Sequence, residues 1–511
     1  MQDLSEKNQK WWGLIALVPA LAMIFMDQTI LPVALPTMKK FFGASDVALE
    51  WTVNSYLLVI AVLVLVCGKI GDRFGHRQVF TGGMILFAAA SCLCGMSETI
   101  SWLIAARVLQ GVGAALMFPA STALLMSLFP PAERGKATGI NVSISSLFLI
   151  MGPLIGGYLS QNYSWRWIFW VNLPIAALGV FLVYRLIPAS RRSSSQIDLW
   201  GFLFFTIFAT SFVSAFMEGR EWGWDSLPIQ FLFGLSIISA AALFLREKKA
   251  KHPFLDLSLF KHPIYKAVNI SVFFTQFILM ITVFRSVFMQ DTLGWSPIKT
   301  GFVTFLSCTP VLFAAPIGGI LSDRLGPKFT LSIGFSCLIF SFIWVAFFIK
   351  SSLAMILIGF FAMGFGIPLV MTPSYSSAMG AIPPQKAGSG FGTIATIRSL
   401  GSCMGIALIG SLIDNIEFFS FKKGVENEHL DPLVMKKIVS EGIEGETVLK
   451  TLPSGMQQDT LSALFKAQYD GFFFIHIILG VMLIAAFIAV FLLYHRKSKH
   501  QLPKAPAEGW D

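Results

Sequence analysis

Long apolar runs, each separated from the next by a polar connection, occupy most of the chain. Because a helix needs about 20 apolar residues to cross the roughly 30 Å hydrocarbon core of a membrane, these runs predict transmembrane helices. We predict about fourteen spans, in groups of six, two and six. Their approximate positions are 12–36, 50–70, 79–97, 101–126, 137–160 and 166–187, then 199–217 and 228–246, then 265–290, 299–321, 328–349, 353–373, 388–413 and 471–494. The predicted fold class is an all-α polytopic membrane protein.

One polar connection occurs twice in the chain. Residues 68–77 follow the second span of the first six, residues 319–328 follow the second span of the last six, and both carry Gly-x-x-x-Asp-Arg-x-Gly. A repeat about half a chain apart predicts two related six-helix bundles. We place these bundles at 1–190 and 263–511, with two inserted central helices at 191–262.

Composition agrees with a membrane protein. Of the 511 residues, 55% are hydrophobic and 13% are charged, whereas soluble domains carry about 25% charged residues. The six cysteines all lie inside apolar runs without the spacing of a metal site. We therefore interpret them as small buried hydrophobic residues and expect no disulfide framework.

The net charge of +10 is distributed in a way that predicts membrane orientation rather than nucleic-acid binding. With the N-terminus inside, the inner connections hold most of the basic clusters, since Lys and Arg concentrate on the cytoplasmic side. Both termini are then cytoplasmic, in a multi-pass protein of the cell membrane that is compatible with a bacterial inner membrane. The same orientation places a long polar segment, at about 415–468, outside the cell, either as short amphipathic helices around Leu433–Ile438 and Leu461–Phe465 or as a disordered tether.

Asp27 is the first candidate for chemistry, since it lies near the middle of the first span. A carboxylate inside hydrocarbon is costly, so such a residue is a functional candidate by default, here for reversible proton binding. Arg107 lies early in the fourth span at a similar depth, and its long side chain predicts an ion pair with Asp27 that parts when Asp27 is protonated. The alternative for Asp27 is a hydrogen-bonded role in helix packing.

Two further groups predict conformational roles. Gly152-Pro153-Leu154-Ile155-Gly156-Gly157 in the fifth span combines glycines that allow close helix approach with a proline that disturbs the helical ladder. In the repeated connections, the aspartates are expected to latch the inner face by pairing with basic residues across the two halves, Asp72 being placed just before a helix start. The positions of these connections are Gly68, Asp72, Arg73, Gly75, Arg77, Gly319, Asp323, Arg324 and Gly326.

Two more arginines, Arg285 and Arg398, lie inside apolar runs and must face a cavity, a carboxylate or helix carbonyls. We expect them to contact substrate together with Gln276 and Met280; a structural arginine that reaches the membrane interface is the alternative for Arg285. Since Asp27 is nearly alone among acidic residues in the spans, the two arginines favour neutral, zwitterionic or anionic lipophiles.

No motif of an enzyme is present: the chain lacks a P-loop, Gly-x-Ser-x-Gly, His-Glu-x-x-His and any cysteine–histidine metal spacing. We therefore predict that the protein is not an enzyme, needs no cofactor and uses an ion gradient.

The repeated connection resembles the loop signature of the major facilitator superfamily of transporters. Residues 26–36, 51–56, 165–174 and 198–201 resemble its drug:proton antiporters with fourteen spans, and the glycine–proline motif of the fifth span resembles their antiporter signature, thought to seal the cavity against leak. Two departures are Pro32, where asparagine is usual, and Leu147, where glycine is usual.

This resemblance implies proton-coupled export of lipophilic drug-like or metabolite compounds by alternating access, with Asp27 coupling the proton and Arg107 as its partner. We expect a monomer. Its expected partners are a small lipophilic substrate, protons and the lipid bilayer. The alternatives are a proton-coupled importer of a small nutrient, an exporter of a lipid or siderophore, and a membrane receptor that transports nothing.

Overall fold

The computed structural model describes residues 6–130, 133–188, 198–250, 253–383, 386–425, 434–435, 438–439 and 453–498. These residues form helices and connections, with no strand among them, as the predicted all-α class requires. The helices of the first half and the insertion are α1 Glu6–Phe42, α2 Asp46–Phe74, α3 His76–Gly95, α4 Ile100–Leu128, α5 Arg134–Asn162, α6 Trp167–Trp170, α7 Asn172–Leu186, α8 Leu199–Trp222 and α9 Leu227–Lys249.

The second half follows a short 3-10 turn at Leu259–Lys261. Its helices are α10 Pro263–Leu279, α11 Ile281–Asp291, α12 Pro297–Cys308, α13 Pro310–Leu325, α14 Pro327–Phe348, α15 Leu353–Ala381, α16 Ala387–Gly424 and α17 Ser454–Ser498. Three pairs, α6–α7, α10–α11 and α12–α13, each form one span with a local break. Within the described residues, 14 helical stretches are long and apolar enough to cross a membrane, which confirms the predicted number of spans.

The two halves repeat details of backbone geometry as well as sequence. Ser45 caps α2 by accepting a hydrogen bond from the Ala48 amide, and Ser296 caps α12 by accepting one from the Lys299 amide. Gly75, between α2 and α3, has φ +98°, and Gly326, between α13 and α14, has φ +86°. Both glycines thus adopt a conformation that L side chains rarely take, at the point where the chain turns back into the next span.

The polar segment predicted at 415–468 is shorter in the structure, because helices occupy both of its ends. α16 continues to Gly424 and α17 already begins at Ser454, so the predicted short helix at Leu461–Phe465 is part of one long helix. The reason is a separate apolar cluster, in which Phe421 and Val425 at the end of α16 pack against Ala463 and Leu464 near the start of α17. Much of the predicted helix at Leu433–Ile438 lies outside the described residues.

Helices of the two halves pack against each other along two seams. α5 contacts α12, and α2 contacts α16, while the inserted α8 lies against α9 and touches both α2 and α16. Gln290 of α11 donates a hydrogen bond to the Val33 carbonyl of α1, and Gln161 accepts one from the Ile298 amide. These contacts close the space between the halves at the end where α1 and α5 finish.

Candidate functional site

An ion pair between Asp27 and Arg107 lies in the core of the first bundle. Arg107 Nη1 is 2.7 Å from Asp27 Oδ2 and 2.9 Å from Oδ1, and each residue is 1% exposed. α1 and α4 therefore bring together the two residues that the sequence analysis paired. A buried pair of this kind is costly to break from one side, because the remaining charge has no compensation.

Three polar groups that the sequence analysis did not single out hold this pair in place. Gln110, one turn after Arg107, donates to Asp27 Oδ1 at 3.1 Å and accepts from Arg107 Nη1 at 2.7 Å. Gln110 also donates to Ser91 Oγ at 2.9 Å, and Arg107 Nε donates to the Thr52 carbonyl at 2.8 Å. The spacing of three residues between Arg107 and Gln110 puts both on one helix face, which is the signal that could have identified Gln110.

An aromatic ring completes the surroundings of Arg107. The Tyr56 ring centroid is 4.3 Å from the guanidinium carbon, a cation–π contact that partly compensates the buried charge. Every charge in this site is thus matched while Asp27 is ionised. Protonation of Asp27 would remove the negative partner and leave Arg107 with Gln110, the Thr52 carbonyl and the Tyr56 ring.

The glycine–proline motif of α5 packs on α1 at the level of Asp27. A Cβ built on Gly152 would lie 3.0 Å from the Met26 carbonyl oxygen, and one on Gly156 would lie 2.6 Å from that of Ile30. Thr29 Oγ1 donates to the Leu149 carbonyl at 2.8 Å. The backbones of α1 and α5 are therefore in contact on both sides of the Asp27 turn.

The opposite face of the same motif contacts the second half. A Cβ on Gly157 would lie 2.5 Å from the Pro297 carbonyl oxygen, and a Cβ on Gly301 of α12 would meet the Pro153 carbonyl. This motif is consequently the layer between the Asp27 helix and the other bundle. A displacement of α1 at Asp27 can therefore reach the interface between the halves through α5, in addition to the direct contact of α1 with α11.

The first repeated connection is organised within its own half. Asp72 lies in the last turn of α2, not just before a helix start as predicted, and its Oδ1 is 3.1 Å from His76 Nε2 at the start of α3. The helix continues past Gly68 because the break occurs at Gly75, where φ turns positive. Arg77 donates to the Tyr184 carbonyl at 2.7 Å, and the exposed Arg73 lies 5.7 Å from the Phe74 ring. In this structure, then, Asp72 bonds to its own bundle rather than across to the other one.

The second connection exposes its charged pair. Asp323 and Arg324 are exposed in the last turn of α13. Gly319 lies one turn earlier, and a Cβ there would just touch Thr372. A latch between the halves that uses these residues stays a prediction.

The four expected substrate residues do not converge on one point. Arg285 is buried inside the second bundle, where its guanidinium carbon is 3.8 Å from the Phe360 ring centroid. Arg398 of α16 is half-buried and points toward the first bundle, 5.8 Å from the Phe118 ring. Gln276 and Met280 are buried at the break between α10 and α11.

Metal ligands and thiol chemistry are not suggested by the part of the chain that the structure describes. It contains no group of three or more His, Cys, Asp or Glu side chains placed to hold a metal ion. All six cysteines are free and lie within helices.

Comparison with known proteins adds a family match. A family model described as Major Facilitator Superfamily matches residues 17–406. Multidrug resistance protein Stp of Mycobacterium tuberculosis (strain CDC 1551 / Oshkosh) is 33% identical over 405 residues, which cover 78% of this chain and 75% of Stp. Riboflavin transporter RibZ of Clostridioides difficile (strain 630) is 31% identical over 411 residues, which cover 79% of this chain and 88% of RibZ.

Among solved structures, the chain is similar to an inward-facing, occupied bacterial homologue of the human lysosomal transporter Spinster. The TM-score is 0.65 at 16% identity, over 98% of this chain and 99% of that one. At this identity the likeness concerns the fold, and it agrees with the two-bundle architecture described above.

Proposed function

Because the chain belongs to the Major Facilitator Superfamily and is thus a membrane transporter rather than an enzyme, we propose that it exports lipophilic compounds in exchange for protons. The observation that carries this proposal is the buried contact between Asp27 and Arg107. A carboxylate with a single cationic partner in a closed site has two states of different charge. In one state it is ionised and paired with the cation, and in the other it is protonated, neutral and unpaired. Binding and release of one proton then select between two arrangements of the same helices.

The route from this proton to the transport step runs through α5. Asp27 lies next to Met26, whose carbonyl contacts Gly152, and the adjacent Pro153 carbonyl contacts Gly301 of the other half. Separation of Asp27 from Arg107 changes the packing of α1 on α5, and α5 is the layer on which the second bundle rests. Proton binding at Asp27 is in this way linked to the angle between the halves, which is the variable that alternating access requires.

The driving force is sufficient for useful export. One charge moving down about 100 mV supplies about 2.3 kcal/mol, which corresponds to roughly a fiftyfold concentration ratio of substrate. No resident cofactor enters this scheme, and the proton is the coupling ion.

We propose that lipophilic substrates bind among aromatic side chains where the two halves meet. Phe25 and Phe118 lie with ring centroids 6.3 Å apart, and Arg398 reaches Phe118 from the second half. We propose that Gln276 and Met280 at the break of the ninth span contribute as well, since substrate sites in such transporters form at discontinuous helices. The name of Stp, a multidrug resistance protein, supports the same substrate class.

We propose that both termini lie in the cytoplasm of a bacterial cell, which is the orientation that the positive-inside rule gives. We also propose that the protein is a monomer. The ends of α2, α9 and α13 carry the basic residues Arg73, Lys249 and Arg324 on one face of the molecule. The contact between α16 and α17 beyond the membrane then lies on the outer side.

The test measures proton release from the full-length protein in liposomes when lipophilic compounds are added. Wild type is compared with Asp27→Asn and with Asp225→Asn, an exposed carboxylate in the connection between α8 and α9. We expect substrate-dependent proton movement in wild type and Asp225→Asn, and none in Asp27→Asn. Equal responses from wild type and Asp27→Asn would remove Asp27 from the mechanism.

A second function, transport of a small nutrient, is suggested by the name of RibZ, a riboflavin transporter that the chain matches over most of its length. In the same liposomes an importer would move its substrate in the same direction as the protons, whereas an exporter of the proposed kind would move it in the opposite direction. The sign of substrate movement under an imposed pH gradient decides between the two directions.

A further inference from the structure

Arg285 is a buried cation with unused hydrogen-bond donors. It is 2% exposed, its guanidinium lies on the Phe360 ring, and its Nη2 has one weak acceptor, Met363 Sδ, at 3.4 Å. Its Nε and Nη1 atoms have no hydrogen-bond partner among the described residues. The three N–H donors on Nε and Nη1, of the five in an arginine side chain, are therefore unpaired among the described residues.

Arg107 provides an internal comparison for this environment. It is equally buried, yet it bonds to a carboxylate, to Gln110 and to the Thr52 carbonyl. Burial of a charge that lacks such partners costs several kcal/mol, as a general rule for protein interiors. Packing alone does not require this charge at Arg285, because a methionine or leucine would fill the same volume at lower cost.

His476 of α17 is a second buried polar residue, next to Phe472, whose ring stacks on Phe288 of the Arg285 helix. Its Nδ1 donates to the Phe472 carbonyl at 2.7 Å, which assigns the proton of the neutral ring to Nδ1. Its Nε2 is buried without a partner among the described residues, and the ring lies within electrostatic range of Arg285. The rings of Phe472 and Phe342 flank His476, at centroid distances of 4.4 Å and 5.5 Å.

We infer that Arg285 forms a binding site for an anionic group, in an aromatic setting that includes the ring of His476. The guanidinium donors suit a carboxylate, phenolate or sulfonate, and the surrounding rings suit the aromatic part of the same molecule. The anion is either the acid group of a transported aromatic compound or a free ion of the size of chloride. As a statement about transported compounds the inference rests on the proposed export function, for which it names aromatic acids as the substrate class.

The position of the site connects it to the interface between the halves. Arg285 lies on α11, and Gln290, little more than one turn further along, donates to the Val33 carbonyl of α1. Phe288 of the same helix stacks on Phe472 at 4.2 Å. An anion drawn to Arg285 would therefore act on a short helix that contacts both α17 and the Asp27 helix.

The experiment measures the melting temperature of the purified full-length protein by its tryptophan fluorescence in a dilute gluconate buffer. The probes are 2-naphthoate, its neutral counterpart 2-naphthamide, and sodium chloride. We expect 2-naphthoate to raise the melting temperature of wild type more than 2-naphthamide does. In Arg285→Gln the apparent affinity for 2-naphthoate should fall about tenfold or more, since a charge-assisted hydrogen bond is lost.

Three further variants separate binding from structure. Lys299→Gln removes an exposed cation that lies 4.3 Å from the Trp295 ring, and should leave the effect of 2-naphthoate unchanged. His476→Phe keeps an aromatic ring but removes Nε2, which carries a lone pair and cannot donate to an anion, so it should not weaken 2-naphthoate binding. Arg285→Met should melt at or above the wild-type temperature without added anion, because it removes an uncompensated buried charge; clear destabilisation would indicate a structural arginine and overturn the inference.

The outcomes assign the source of the anion. Stabilisation by chloride that disappears in Arg285→Gln, with no additional effect of 2-naphthoate, identifies a free ion as the ligand. Equal stabilisation by 2-naphthoate and 2-naphthamide, or an unchanged response in Arg285→Gln, contradicts the site. Asp27→Asn should retain anion binding, so that failure of proton exchange and failure of this site are read from different measurements.

Discussion

Gly157 of α5 lies directly against the Pro297 carbonyl at the start of α12, so closely that a Cβ at Gly157 would be 2.5 Å from that oxygen. Both partners belong to backbone, and neither can move without shifting a whole helix. The contact joins the two bundles next to the turn of α1 that carries Asp27. It therefore connects the second half to the helix that packs against α1 at the level of Asp27.

Gly157→Ala is expected to disfavour the conformation seen here. Overpacking of a close contact costs about 1–3 kcal/mol, and 1.4 kcal/mol is a factor of about ten in population. Substrate-dependent proton movement in liposomes should fall about tenfold, and proton leak without substrate should rise. Gly139→Ala on the same helix is the matched control, because a Cβ there meets nothing within 4 Å; equal effects of the two substitutions would contradict a role for this contact.

Arg107→Met is expected to destabilise the protein strongly at neutral pH. It leaves the Asp27 carboxylate buried without its cation, a change that costs about 3–5 kcal/mol in comparable buried pairs. The loss should be smaller in acid, because a protonated Asp27 needs no cation, and smaller again in the double variant Asp27→Asn/Arg107→Met. Thermal unfolding of wild type, Asp27→Asn, Arg107→Met and the double variant at two pH values gives the coupling between the residues. Additive effects would show that the pair does not act as a unit.

Sequence alone predicted the charged pair but not the network around it. Asp27 and Arg107 are conspicuous because ionised groups are rare inside apolar runs. Gln110 is an ordinary polar residue on a helix, and the Thr52 carbonyl has no signature in the sequence at all. The partners of a buried charge are supplied largely by backbone and uncharged side chains, and only the packed structure reveals which of them are near.

The length of the spans shows the same limit. The number of apolar residues needed to cross a membrane predicted that the thirteenth span ends near residue 413, whereas α16 runs to Gly424. The additional turns are stabilised by Phe421 against Leu464 and Ala467 of α17, a contact between segments that are not neighbours in the sequence. Asp72 was misplaced for a related reason, because the helix break depends on the positive φ of Gly75 rather than on the first charged residue.

The link between the inserted helices and the second half should respond to acid. Burial raises the pKa of Asp256, but hydrogen bonds from Lys386 and Ser258 outweigh that effect, and the pKa lies below its ordinary value. Lys386 Nζ is 2.8 Å from Asp256 Oδ2. Because the folded-state pKa is lowered, the contribution of this contact is complete above the ordinary pKa and disappears as pH falls through the folded-state value.

Asp256→Asn should accordingly lower the melting temperature by a small amount, as expected for a partly exposed pair worth less than about 1 kcal/mol. The difference from wild type should be constant above the ordinary carboxyl pKa and should disappear as the pH falls through the lowered folded-state pKa, below which the carboxyl is protonated in both states. Melting curves of the two proteins across this range provide the measurement. A difference that grows in acid has the wrong sign for this contact.

Gly75 and Gly326 make a final comparison possible, because the two halves use the same backbone conformation at the same turn. Alanine at either position must adopt a φ near +90°, which costs about 1–3 kcal/mol for a residue with a Cβ. A Cβ at Gly75 would also meet the end of the flexible Gln78 side chain, which can move, and one at Gly326 meets nothing. Gly75→Ala and Gly326→Ala should therefore destabilise the protein to a similar extent in thermal unfolding. Gly82→Ala, inside α3 with open space around it, should be neutral or stabilising, so a loss at Gly82 as large as at the two turns would show that backbone conformation is not the cause.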